Sequence, residues 1–165
     1  MKYIKLFNKN INIIVDDEDY EYLKQFKWIS RQGYAARHIS SRPKQKYLYM
    51  HHEILKTLEL IDHVNGNIQD NRKSNLRIAN KQKNAANCKI HKHNTSGYKG
   101  VSYIKSLKKY RAYIVHNNRQ MHLGVFKTAK EAAQAYNKKA IEIFGEFARL
   151  NEKINITNKK ESRAD

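Results

Sequence analysis

Between Asn71 and Lys130 the chain carries 15 Lys or Arg residues and no Asp or Glu. Sixty residues of one sign cannot lace their own surface with ion pairs. The cations stay outward, and their self-repulsion is left for an external polyanion to relieve. The same bias runs through all 165 residues, where 33 Lys and Arg stand against 15 acids for a net charge of +18. A membrane surface is one such polyanion. No basic amphipathic helix with an apolar insertion face is evident, however, and no run of about 18 apolar residues offers a membrane span. Nucleic acid is the better partner.

A chain of this length makes one ordinary domain or two small ones, and 40% hydrophobic residues allow a modest core. The opening MKYIKLFNKN lacks the charged-then-apolar layout of a signal peptide. The single cysteine, Cys88, excludes an internal disulfide and a multi-cysteine zinc site. These features predict a soluble, intracellular protein.

The two halves differ in character. The first opens with the strand-like runs YIKLF and INIIV, followed by DDEDYEYLKQF, a short helix whose leading acids match the helix dipole. KWIS and YAARHI read as strands, and KYLYMHHEIL passes from strand into helix. HKHNTSG, over 91–97, is small and polar and marks a joint, giving domains over 1–93 and 94–151 and a mobile tail over 152–165.

In the second half, YKGVSYI, KYRAYIVH and RQMHLGVF are three strands, and Asn117-Asn118 supplies the positive φ of a tight hairpin. Alternation puts Tyr110, Ala112 and Ile114 on one side, with Arg111 and Tyr113 on the other. In the third strand Met121, Leu123 and Val125 oppose Gln120 and His122. A helix follows, starting with Thr128 and Glu131 in capping-box spacing and ending at Gly145. Ala129, Ala132, Ala133, Tyr136, Ala140, Ile143 and Phe144 form its apolar stripe, so it covers one sheet face and leaves a basic, aromatic face outward.

GYKGV, RAYI, LGVF, TAKEAAQAY and FGEFARLN together resemble an AP2 DNA-binding domain over about 96–151. The resemblance implies that the outward sheet face enters the major groove of duplex DNA. It implies contacts from Lys99, Ser102, Arg111, Tyr113, Gln120 and His122. Lys105, with Lys108 and Lys109, is placed in the first hairpin loop to meet phosphates. The contact positions are less rich in Arg and Trp than is usual in that family, so DNA affinity is better supported than any base sequence.

IDHVNGNIQDNRKSNLRIA, from Ile61 to Ala79, with Asn84 beyond it, resembles the HNH endonuclease motif, a ββα-metal site. The match covers about 49–87, and the preceding residues resemble the leader of phage-type homing endonucleases, which often carry an AP2 domain behind the nuclease. The whole chain is thus expected to be α+β, an HNH nuclease domain followed by an AP2 domain. Phosphodiester hydrolysis needs a base, charge neutralisation and help for the leaving oxygen. His63 is the expected general base, since imidazole takes a proton near neutral pH. Asp62 and Asn84 are the expected ligands of a divalent cation, most simply Mg²⁺, with Mn²⁺ able to use the same oxygens. Neighbours in a strand point to opposite faces, so base and metal would work from different sides of the phosphate. Asn75 joins the catalytic set by holding the loop or the base through hydrogen bonds, and Arg72 and Arg77 are expected to fork flanking phosphates. His51 and His52 precede the site and read as packed structural histidines.

The resulting expectation is a metal-dependent endonuclease acting on double-stranded DNA in the cytoplasm of a bacterial or phage-infected cell. It would be a monomer or homodimer with no obligate protein partner. The competing readings are a DNA-binding regulator with an inactive HNH domain and an RNA-binding protein.

Overall fold

Alternating apolar residues close the first hairpin. Ile4 in β1 (Lys2–Lys5) and Ile13 and Val15 in β2 (Asn12–Val15) turn inward, while Lys2, Tyr3 and Lys5 stay exposed. Asp17, Glu18 and Asp19 then fill the first turn of α1 (Asp17–Leu23), the end where negative charge favours a helix. The computed structural model describes residues 1–40, 46–90 and 93–151. The expected tail over 152–165 lies outside the described residues, as do the first two residues of the expected joint.

An antiparallel sheet follows in the order β3 (Ile29–Arg31), β4 (Tyr34–Ser40), β5 (Lys46–Tyr49), and β5 runs directly into α2 (Met50–Leu55). Trp28, essentially sealed from solvent, sits in a core with Leu6, Ile13, Leu23, Met50 and Ile54, and its indole N–H donates to the Leu23 carbonyl at 2.8 Å. Ile61 and Leu76 extend that core into a short ribbon, β6 (Ile61–His63) against β7 (Leu76–Ile78). Helix α3 (Lys81–Asn87) packs on β6. Strand, long loop, strand and helix therefore make a ββα unit.

The leader strands have a definite task. The Ile14 N–H donates to the Gln69 carbonyl and the Ile14 carbonyl accepts from the Asn71 N–H, both at 2.8 Å, so β2 grips the loop between β6 and β7. Asp16 Oδ2 takes the Lys73 N–H at 2.7 Å and holds the same loop from the start of α1.

The chain divides into two compact units, Met1–Asn87 and Cys88 onward. In the second, β8 (Val101–Ile104), β9 (Lys109–His116) and β10 (Arg119–Phe126) form an antiparallel sheet in the order β10-β9-β8. Asn117 and Asn118, with φ of 51° and 58°, turn β9 into β10. α4 (Ala129–Phe144) covers one face. Its capping box is complete, with Thr128 accepting from the Glu131 N–H and Glu131 reaching back to the Thr128 N–H. Ala132, Ala133, Tyr136 and Ala140 are buried against Val101, Ala112 and Ile114. Small side chains let the helix axis lie close to the sheet.

One face assignment differs from simple alternation. Pairing skips Leu123, since His122 opposes Tyr113 and Gly124 opposes Ala112. This bulge, with Gly124 at φ +130°, shifts Val125 to the side of Arg111, its register partner, rather than the side of Leu123.

Candidate active site and nucleic-acid face

β6 presents Asp62 and His63 in succession, so their side chains leave the ribbon on opposite sides. Asp62, only 4% exposed, lies opposite Arg77 in the β6–β7 register. Arg77 Nε and Nη2 both donate to Asp62 Oδ2, at 2.9 and 2.8 Å. Arg77, expected to fork a phosphate, pairs with this carboxylate across the ribbon. Arg72 is committed in the same way, donating from Nε and Nη2 to the buried Asp70 at 2.8 and 2.7 Å. That guanidinium holds the Asp70 carboxyl below the usual carboxylate range.

The asparagines of the loop are its frame. Asn65 Nδ2 donates to Asp70 Oδ2 at 3.0 Å, while its Oδ1 accepts the Asn67 N–H at 2.7 Å and Asn67 Oδ1 the Gln69 N–H at 3.1 Å. Asn75 uses both ends of a buried amide, accepting from the Asn65 N–H at 2.9 Å and donating to the Asp70 carbonyl at 2.7 Å. Its backbone carbonyl takes the Val64 N–H at 2.9 Å, directly after His63. Asn75 thus fixes the strand end that carries the histidine.

Asn87 of α3 hydrogen-bonds Asp62. Asn84, the expected ligand, is half-buried one turn earlier on the same helix. The Asn87 amide nitrogen lies 3.1 Å from each Asp62 carboxylate oxygen, 2.9 Å from the His63 carbonyl and 3.2 Å from the Val64 carbonyl. Asp62 Oδ2 thus accepts from Arg77 twice and from Asn87 once, and Oδ1 faces Asn87. Hard, partly anionic oxygens suit Mg²⁺ or Mn²⁺, and in that respect the residues present fit a divalent cation. Among the described residues, no three His, Cys, Asp or Glu side chains form a metal-binding cluster, so carbonyl, amide and water oxygens would complete the shell.

His63 is 5% exposed. Its ring stands 5.5 Å from that of His51, edge to face, and 6.0 Å from that of Tyr34. Burial holds the imidazole below the usual histidine range, against the opposing pull of Asn71, Asp62 and Asp70. A ring kept neutral can accept a proton. His63 Nε2 and Asn71 Oδ1 are both buried, and Asn71 is the side chain that acts on the His63 ring as a hydrogen-bond partner. His51, stacked on Tyr49, is pushed down to about 3 by burial and by the neighbouring His52 and His63.

In the second unit, Ser102 pairs with Arg111 and Tyr113 with His122, on the face opposite Ala112 and α4. Gln120 shares it, opposite Val115. The Arg111 guanidinium lies 5.6 Å from the Tyr113 ring, and its Nε is buried without a partner among the described residues. Lys105 opens an exposed 3₁₀ turn, Lys105–Leu107, between β8 and β9. Lys99 stands apart from this face, in the loop before β8, half-buried with Nζ donating to the Cys88 carbonyl at 2.9 Å.

Among known proteins, an uncharacterised HNH endonuclease of Acanthamoeba polyphaga mimivirus is 32% identical over 134 residues, covering 78% of this chain and 68% of the relative. Protein 3.8 of Escherichia phage T7 is 34% identical over 90 residues, 54% of this chain and 74% of its own. No family model matches, and no solved structure matches.

Proposed function

The chain belongs to the HNH endonuclease family, and from that premise we propose that it hydrolyses phosphodiester bonds in double-stranded DNA with the aid of a divalent cation. The observation that carries the reading is the paired placement on β6. A buried, neutral His63 sits beside a buried carboxylate on the same strand, the two side chains leaving the ribbon on opposite sides.

His63 is the general base, taking the proton from the attacking water onto its neutral imidazole. Asn75 positions it by pinning the end of β6, and His51 and Tyr34 hold the ring plane. Asp62, with Asn84 of α3, would hold the cation. When bound, that cation supplies charge neutralisation at the scissile phosphate and at the departing 3′ oxygen. Arg77 keeps the Asp62 carboxylate aimed at α3.

The second unit acts as an AP2-type reader in this proposal. A small antiparallel sheet fits the major groove, and Ser102, Arg111, Tyr113, Gln120 and His122 share the face turned away from α4. The combination describes a homing-type enzyme of a phage or its bacterial host. The tight engagement of Asp62 by Arg77 and Asn87 favours one alternative, a DNA-binding regulator whose first unit does not cut.

Incubating the protein with supercoiled plasmid separates the two. Conversion to open circles with Mg²⁺, abolished by chelator and by His63→Ala, is the expected result. Plasmid that is bound but left whole under Mg²⁺ and Mn²⁺ would establish the regulator.

A further inference from the structure

Lys99 differs from the other expected DNA contacts, because its place in the fold is built rather than exposed. Asn151 clamps its backbone, with Oδ1 accepting the Lys99 N–H at 2.8 Å and Nδ2 donating to the Lys99 carbonyl at 3.2 Å. Asn151 is in turn held by buried Asn137, which accepts the Asn151 N–H at 2.9 Å and donates to its carbonyl at 3.3 Å. The clamp sets Lys99 in the wall of an open cavity of about 380 Å³, whose lining also includes Lys89, Arg149, Tyr98, Leu150 and Asn151. Among the described lining residues there are three cations and no Asp or Glu. Burial, together with the Arg149 charge, holds Lys99 down to about 8 despite the opposing influence of Cys88. Like charges are therefore gathered in a partly desolvated place, where an anion repays more than it would on an open surface.

We propose that the Lys89–Lys99–Arg149 cavity is an anion seat that takes a backbone phosphodiester of the DNA bound by the second unit. The assignment rests on the DNA-binding reading above. It adds a phosphate anchor away from the sheet face, its lysine backbone fixed by the asparagine clamp and its Nζ already turned to the Cys88 carbonyl. The arginine offers a planar fork and the lysines point charges, while Leu150 and Tyr98 supply apolar lining beside them. Inorganic phosphate shares the recognising chemistry, so the test treats the two sources separately.

The experiment uses the full chain carrying His63→Ala, so that DNA is not consumed. Affinity for a short duplex is measured by fluorescence anisotropy across a salt series for Lys99→Gln, Arg149→Gln and a control, Lys130→Gln, on the exposed side of α4. Each pocket variant is expected to lower the log–log salt slope by about one and to weaken binding by about eightfold near 0.1 M salt, while the control leaves the slope in place. Inorganic phosphate is then titrated into isotope-labelled protein. Weak shifts of the Lys99 and Asn151 amides, reversed by duplex, are the expected pattern. Pocket variants that match the control would overturn the seat while leaving DNA binding standing. Tight phosphate binding that duplex cannot displace would assign the cavity to a free anion and overturn the backbone assignment. A starting protein that binds no duplex would remove the DNA-binding reading, and this proposal with it.

Discussion

Arg77 and Asp62 show how one residue's role depends on what lies opposite it. The Asp62 carboxylate is nearly sealed from water and the Arg77 side chain is 15% exposed, so removing the guanidinium leaves a buried charge uncompensated. Arg77→Met is expected to cost about 3–5 kcal/mol in urea unfolding, with Arg72→Met costing less because that side chain is 36% exposed. If Arg77→Met unfolds like the wild type and only DNA affinity falls, Arg77 is a phosphate contact after all. Glu53 gives a second prediction at this scale. It accepts from Tyr22 Oη at 2.7 Å, Arg37 Nη2 at 2.7 Å and Lys56 Nζ at 3.1 Å. Burial alone would raise its carboxyl, but those donors outweigh burial and hold it at about 2, below its ordinary 4.5. A folded value below the unfolded one means the stabilisation is complete above pH 4.5 and is lost as pH falls toward 2. About 3 kcal/mol of stability should disappear over that window through this group, and Glu53→Gln should flatten the curve there. An identical pH–stability profile for the variant would refute it. That Asp62 and His63 are neighbours on one strand and that Asn75 holds the loop could be read from the sequence, because both follow from local residue type and interval. The partners of Asp62 could not. Which cation faces a strand carboxylate is decided by register, and Asn84 and Asn87 lie one helical turn apart on a single face.

At the scale of elements, α4 was readable in full, since capping box, alanine stripe and glycine stop are local signals that the packing reinforces. The β10 bulge was not, since period-2 reasoning assumes no inserted residue, and only Gly124 hinted at a break. The asparagine pair joining α4 to Lys99 was equally hidden, because Asn137 and Asn151 are far apart in sequence and polar residues rarely announce burial. Helix and sheet meet most tightly at Gly100. Its φ is +72°, and a Cβ there would lie 2.6 Å from the Tyr113 carbonyl and closer still to the Tyr136 ring. Tyr136 is buried beside Ile114 and Ala140 and cannot swing aside without opening that core. Gly100→Ala should therefore combine left-handed backbone strain with overpacking and cost about 2–4 kcal/mol. Thermal unfolding reads it, and an unchanged midpoint would mean that the entry to β8 is looser than this packing requires.

For the molecule as a whole, charge sorts the two units by task. Met1–Asn87 carries 16 Lys and Arg against nine acids, and Cys88 onward carries 17 against six over a shorter length. In the first unit Arg37, Arg72, Lys73 and Arg77 are drawn into ion pairs with Glu53, Asp70, Glu18 and Asp62, so much of its positive charge is spent internally. An ion pair in the second unit joins Lys139 to Glu142 on α4, away from the acid-free strands. Counterion release should consequently govern how tightly the full chain holds DNA. With His63→Ala to prevent cutting, log affinity for non-specific duplex is expected to fall linearly with log salt. If six to ten phosphates are engaged, affinity drops by about 10³–10⁵ between about 50 and 200 mM. Substitutions on the sheet face, Arg111→Ala and His122→Ala, should alter which sequences are preferred more than they alter that slope, because base contacts add selectivity on top of a phosphate-driven term. A flat salt response would show that the sixty-residue acid-free stretch does not face the polyanion, and the division of labour between the units would have to be drawn elsewhere.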